Sequence, residues 1–97
     1  MKAVFVVYNQ SISGQVKKIL DQLFIRGYTQ WTDITGNGSD KGLPHAGTHT
    51  WPELNNAYLI MTEDANVSPL LSQLQSLNSS VEAQGLRAFV WNIENMI

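Results

Sequence analysis

The chain of 97 residues has no cysteine, which excludes disulfides, thiol catalysis and thiolate metal sites. Charge is sparse: six basic against eight acidic residues give a formal net charge of −2. That balance supplies no basic patch of the kind with which nucleic-acid recognition begins. Lys17 and Lys18 are the one adjacent basic pair, and they suit a solvated helix face better than a phosphate contact. No apolar run approaches the roughly 20 residues of a membrane-spanning helix. The opening MKAVFVVY is too short for a secretory leader and has no small-residue cleavage site, so a cytoplasmic location is expected. No internal repeat or low-complexity tract is evident. What the chain does have is a 43% hydrophobic composition, enough at this length for a single core.

The apolar residues fall into two periods. Lys2 to Tyr8 is a short run rich in valine and aromatics, apolar on both faces, with Val4 and Val6 on one and Ala3, Phe5 and Val7 on the other. Ser11 or Ser13 can cap the helix that follows, in which Ile12, Val16, Ile19, Leu20, Leu23 and Phe24 recur at helical spacing. Arg26 in the last turn and Gly27 as its left-handed C′ residue are expected to end it. Tyr28 to Thr35 mixes tyrosine, tryptophan, threonine and isoleucine with Gln30 and Asp33, and reads as a more exposed, edge-like strand stopped by Gly36. Ala57 to Thr62 is again apolar on both faces. Glu63, Asp64 and Asn66 then read as a turn, and Ser68–Pro69 as the N-cap and first position of a second helix with Leu70, Leu71, Leu74 and Leu77 as its stripe. Val81 to Gly85 is a connector, Leu86 to Trp91 a last strand, and Asn92 to Ile97 a tail.

This order, βαββαβ, predicts an α+β ferredoxin-like sandwich over residues 1–97. Its four-stranded antiparallel sheet has strand order 4-1-3-2, two helices on one face and a long loop between strands 2 and 3. Strands 1 and 3 are central in that order, and they are the two that are apolar on both sides. Two helices cover only one face of such a sheet. The other face would be an apolar patch of a size that soluble monomers rarely expose, so a homo-oligomer that buries it is expected.

Gly36 to Asn56, GNGSDKGLPHAGTHTWPELNN, interrupts this pattern. It carries four of the seven glycines, two of the three prolines and both histidines. A structureless connection of about 20 residues is uncommon in a small domain and is usually functional or disordered. Its aromatic and histidine content favours a loop that orders around something. At its base, the backbone amides of Gly36, Gly38 and Gly42 could form an anion-binding nest with Lys41 adding charge, or could simply supply turns needing positive φ. The spacing is not that of a Walker A loop. Further along, His45 and His49 stand four residues apart near Glu53. They could hold a divalent metal, or could hydrogen-bond the loop backbone and stack on Trp51. Pro52 behind Trp51 suggests a rigid return to the sheet. No nucleophile is paired with a base: Ser11 and Ser13 have none, and Glu63 and Asp64 suit the approach to a helix N-terminus. The residues do not point to an enzyme.

Three stretches together carry a resemblance that covers nearly the whole chain: Gly27-Tyr-Thr before strand 2, Gly36-Asn-Gly38-Ser-Asp-Lys41-Gly42 at the loop base, and Phe89-Val-Trp-Asn-Ile-Glu-Asn-Met-Ile97 at the end. The chain resembles the PII-like signalling proteins of the nitrogen regulatory protein P-II superfamily. The resemblance implies a trimer that regulates a transporter or enzyme through the strand 2–3 loop, the T-loop, here residues 36–56. It also implies ATP or ADP binding in the clefts between subunits. Gly36, Gly38, Lys41 and Gly42 inherit the nucleotide-binding role from this resemblance. Gly85 and Arg87 stand where the family has a second phosphate-binding turn, and Pro44, Thr48 and Trp51 fall in the partner-contacting arm. The loop has no tyrosine and so no acceptor for uridylylation. Two other readings share the topology: a metal-binding module similar to the CutA-like cation-tolerance proteins, with His45, His49 and Glu53 as ligands, and a small barrel-type enzyme with an apolar pocket.

Overall fold

The computed structural model describes residues 1–37, 54–80 and 85–97. Strand β1 (Lys2–Asn9) leads through a 3-10 turn (Gln10–Ile12) into helix α1 (Ser13–Gln22). Strand β2 (Tyr28–Ile34), strand β3 (Asn55–Thr62), helix α2 (Asp64–Ser80) and strand β4 (Arg87–Asn92) follow. The sheet order is β2-β3-β1-β4, with every neighbouring pair antiparallel. This is the ferredoxin-like arrangement, and the two doubly apolar segments are its central strands. Because side chains alternate across a strand, Val4, Val6, Tyr8, Tyr58 and Ile60 point to the helices. There they form one core with Val16, Ile19, Leu20, Leu70 and Leu74, all buried. In that core Tyr8 stacks on Tyr58 with centroids 6.0 Å apart, and Tyr28 meets Tyr58 edge-on at 4.8 Å.

The pairing register puts the other side chains into rows on the opposite face. Leu59, Phe5 and Phe89 form one row, and Met61, Ala3 and Trp91 the next. Trp31, Ala57, Val7 and Arg87 form a third row, nearest the end at which β2 and β3 meet the 36–56 loop. Phe5 and Trp31 touch edge to face at 6.4 Å. No described element covers this face, and Phe89 and Trp91 are 54% and 49% exposed.

Three boundaries differ from the sequence reading by more than one residue. Helix α1 ends at Gln22 with Leu23 as its C-cap, well before Gly27, and the left-handed C′ residue is Phe24, with φ 57°. The Phe24 N–H donates to the Asp21 carbonyl at 3.1 Å and the Ile25 N–H to the Leu20 carbonyl at 2.9 Å, the two bonds of a Schellman motif. Ile25 and Leu20 are both buried, so hydrophobic contact at the motif outweighs the ~1–2 kcal/mol that an L-residue pays for left-handed backbone. Phe24 is therefore 77% exposed, not part of the core stripe.

Helix α2 begins at Asp64, so Pro69 lies inside it and Ser68 is not its cap. The Asn66 N–H donates to the Glu63 carbonyl at 3.0 Å and its side chain to Thr62 Oγ1 at 2.9 Å, which starts the helix early. Pro69 offers no N–H to the Ala65 carbonyl, but both residues are exposed and water can reach that oxygen. Strand β3 also starts earlier than expected, at Asn55, so the last two residues of the 36–56 stretch belong to the sheet.

Asp64 also receives the Met1 ammonium at 2.8 Å. That hydrogen bond holds its carboxyl below the usual carboxylate value. A depressed folded-state pKa means stabilisation that is present at neutral pH and lost as pH falls through the lowered value. Asp64→Asn is therefore expected to flatten the acid limb of a urea-midpoint titration, by a small amount that shrinks further in high salt.

Candidate functional site

The loop end of the sheet is built from asparagines, Asn9 at the end of β1 and Asn55 and Asn56 at the start of β3. Asn9 pairs with Asn55 across β1 and β3, and both are buried. Asn9 Oδ1 accepts from the Ser11 N–H at 2.9 Å and so caps the 3-10 turn, while Ser13 Oγ donates to the Gln10 carbonyl at 2.7 Å. The Gln10 N–H reaches the Leu54 carbonyl at 3.0 Å, which ties this turn to the chain entering β3.

Asn56 is the hub. Its Oδ1 accepts from the Asp33 N–H and from Gln10 Nε2, each at 3.1 Å, and its Nδ2 donates to Ser13 Oγ at 2.9 Å. Gln10 Nε2 also donates to Asp33 Oδ1. Asp33 sits at φ 57° where the β2–β3 register slips between Trp31 and Ile34, so two residues of β2 oppose Asn56 alone. This is a β-bulge whose left-handed residue is held by a side-chain acceptor in place of the missing ladder bond. Bulge and hub together fix the direction in which β2 leaves the sheet toward residue 36.

Tyr8 lies beside the hub, fully buried, and among the described residues no group meets its hydroxyl in full hydrogen-bond geometry, although Tyr58, Ser13 and Asn56 lie around it. Burial is the main cause that pushes the Tyr8 phenol above its ordinary value, and the same cause raises Tyr58.

Gly36 forms a bridge at the mouth of the loop. Its φ is not positive, so turn geometry does not explain it. A Cβ there would sit 2.8 Å from Asn55 Nδ2, and Asn55 is buried, with little room to swing away. Close approach is what requires glycine. Gly36→Ala is expected to displace the Asn55 amide and lower stability by about 1 kcal/mol, read as a lower urea midpoint.

Gly85 does need a left-handed conformation, at φ 63°, and sets up the turn into β4. Leu86 is buried, and Arg87 is exposed opposite Val7 on the uncovered face. Gly36 belongs to the β2 edge and Arg87 to the β4 edge, three strand spacings or roughly 14 Å apart. One chain thus puts both at the same end of the sheet without bringing them together. Gly38, Lys41, Gly42, Pro44, His45, Thr48, His49, Trp51 and Glu53 lie outside the described residues. Among the described residues there is no cluster of three or more His, Cys, Asp or Glu placed to hold a metal ion. No described helix is long and apolar enough to cross a membrane.

The missed residues are Asn9, Gln10, Asn55 and Asn56. The available signal was the adjacent polar pair at the end of strand 1 matched by another at the start of strand 3.

The architecture is that of the PII-like signalling proteins. The fold is similar to CPII, a nitrogen regulatory PII-like protein from Thiomonas intermedia K12. One structure of CPII, bound to ADP and bicarbonate, matches with a TM-score of 0.74 and 20% identity over 95% of this chain and 84% of that one. A second, bound to ADP, AMP and bicarbonate, matches with a TM-score of 0.77 and 19% identity over the same shares. A PII-like signalling protein of Thermus thermophilus matches with a TM-score of 0.67 and 16% identity, over 95% of this chain and 85% of that one. No family profile and no curated sequence matches the chain.

Proposed function

We propose that this chain is a PII-like regulator, a cytoplasmic homotrimer that binds an adenine nucleotide in its subunit clefts. Through residues 36–56 it would modulate a transporter or an enzyme. The observation that carries this reading is the likeness over 95% of the chain to CPII structures holding ADP with bicarbonate. The sheet edges add to it. Gly36 and Arg87, too far apart for one phosphate group within a chain, would meet if the β2 edge of one copy faced the β4 edge of the next. Burying the Phe5, Leu59, Phe89 and Trp91 face between copies would remove an apolar patch otherwise left to water.

In this reading Gly36, Gly38, Lys41 and Gly42 present amides and charge to phosphate from one subunit, and Gly85 and Arg87 complete the cleft from its neighbour. A bound effector shifts the loop between conformations by contacting one better than the other, and the partner reads that shift.

Isothermal titration calorimetry with ADP, AMP and ATP, with and without bicarbonate, tests this alongside light scattering for the oligomer. Saturable binding is expected, weakened about tenfold by Arg87→Ala through loss of a charge-assisted phosphate contact. Absence of both a binding heat and a thermal shift at millimolar nucleotide would remove the nucleotide reading.

A further inference from the structure

We infer that Asn37 is a site of spontaneous deamidation, and that the carboxylate it gains is a one-way switch on the anion site at the base of the 36–56 loop. The second half of this rests on the nucleotide reading above. Of the eight asparagines, Asn37 is the one followed by glycine. Gly38 has no side chain, so its backbone nitrogen meets no steric barrier in attacking the Asn37 side-chain carbonyl carbon. The attack closes a cyclic imide, the succinimide, and the side-chain amide leaves as ammonia with the proton from the Gly38 N–H. Water then opens the ring at either carbonyl. One opening leaves aspartate. The other leaves isoaspartate, in which the former side-chain carbonyl carries the main chain.

The fold decides which asparagines can close that ring, because helices and paired strands hold the side-chain carbonyl away from the next backbone nitrogen. Asn9 and Asn92 lie in β1 and β4, Asn55 and Asn56 in β3, and Asn66 and Asn78 in α2. Asn95 is in the tail, where the side chain of Met96 hinders the attack. Asn37 has neither protection. It stands past the end of β2, outside the ladder and exposed, and no described residue hydrogen-bonds its amide. Its position also gives the new charge a target. Gly36, the preceding residue, is bridged at the mouth of the loop and closely packed against Asn55. The carboxylate therefore appears one residue, about 3.8 Å in Cα spacing, from a fixed point of the backbone. At that range a negative charge repels a phosphate held by the Gly36 amide and competes for Lys41. Isoaspartate adds a methylene to the main chain and so also moves the residues that follow relative to Gly36.

Incubation of the full chain and of Asn37→Gln at mildly alkaline pH, followed by tryptic digestion and mass spectrometry, tests the modification. Cleavage after Arg26 and Lys41 releases residues 27–41, in which Asn37 is the single asparagine. In the parent this peptide is expected to gain the mass of an amide-to-acid change, as separable aspartate and isoaspartate forms, ahead of every other asparagine-bearing peptide. Asn37→Gln would have to close a larger ring and is expected to keep its amide. If residues 27–41 of the parent deamidate no faster than residues 88–97, which hold Asn92 and Asn95, the inference is overturned. Calorimetry with ADP tests the switch: Asn37→Asp is expected to bind about tenfold more weakly than the parent, and Asn37→Gln as tightly. Equal affinity in Asn37→Asp overturns the switch and leaves the modification site standing. A parent chain that binds no nucleotide overturns the nucleotide reading and the switch with it, while the mass measurement decides the modification on its own.

Discussion

Replacing Tyr58 by alanine is expected to cost about 3–5 kcal/mol, the range seen for deleting a buried aromatic ring from a core. Stability for a chain of this length is about 5–15 kcal/mol, so the variant would sit near or beyond the folding threshold. Tyr58 is buried at the centre of the inner face, stacked on Tyr8 and struck edge-on by Tyr28, so its removal leaves two rings without a partner. Tyr58→Phe keeps both ring contacts and loses only the bond from Gln30 Nε2 at 3.2 Å, and it should cost about 1 kcal/mol or less. Urea denaturation of the two variants separates ring from hydroxyl. If alanine and phenylalanine cost the same, the aromatic stack is not what holds this face together. The pair also has an alkaline signature. Burial raises both phenols, so their contribution is complete below the unfolded tyrosine value and is lost as pH rises past it. Tyr8→Phe is expected to flatten that alkaline limb.

The fold was legible because its signals were periodic. Strands β1 and β3 were apolar on both sides, which put them in the centre of the sheet, and α1 carried its stripe at Val16, Ile19 and Leu20. The boundaries were less legible, because tertiary contacts overrode local rules. Burial of Ile25 placed the left-handed C′ residue of α1 at Phe24 although Gly27 was available, and the Thr62–Asn66 bond opened α2 ahead of Ser68 and Pro69. At the candidate site, glycine was the informative residue but for reasons that differ by position. Gly85 turns the chain, whereas Gly36 makes room for Asn55, and a contact between residues nineteen apart leaves no local pattern to read. The same holds for Asn56: a polar residue at the edge of a loop looks idle until register places it against a bulge. The histidine-bearing arm rested on spacing alone.

Asn56 is where the second large effect is expected. Asn56→Ala removes an acceptor shared by the Asp33 N–H and Gln10 and a donor to Ser13, leaving part-buried groups without their bonds. At about 1 kcal/mol per bond, and more where a group stays dry, the loss is expected to be about 2–4 kcal/mol. Its distribution distinguishes a clamp from a generic core defect. Hydrogen exchange at the Asp33 amide should accelerate far more than at Val4 or Ile60, because the bulge opens while the helix-side core stays packed. A cycle with Gln10→Ala should show coupling of about 0.5–3 kcal/mol, since both residues serve the same bulge; strict additivity would mean that the hub is three separate bonds. Under the proposed function the consequence extends to ligand binding. The bulge aims β2 at Gly36, so Asn56→Ala is expected to weaken nucleotide binding even though Asn56 touches no ligand. Asn56→Ala binding nucleotide as tightly as the parent chain would show that Gly36 is positioned by the strand pairing alone.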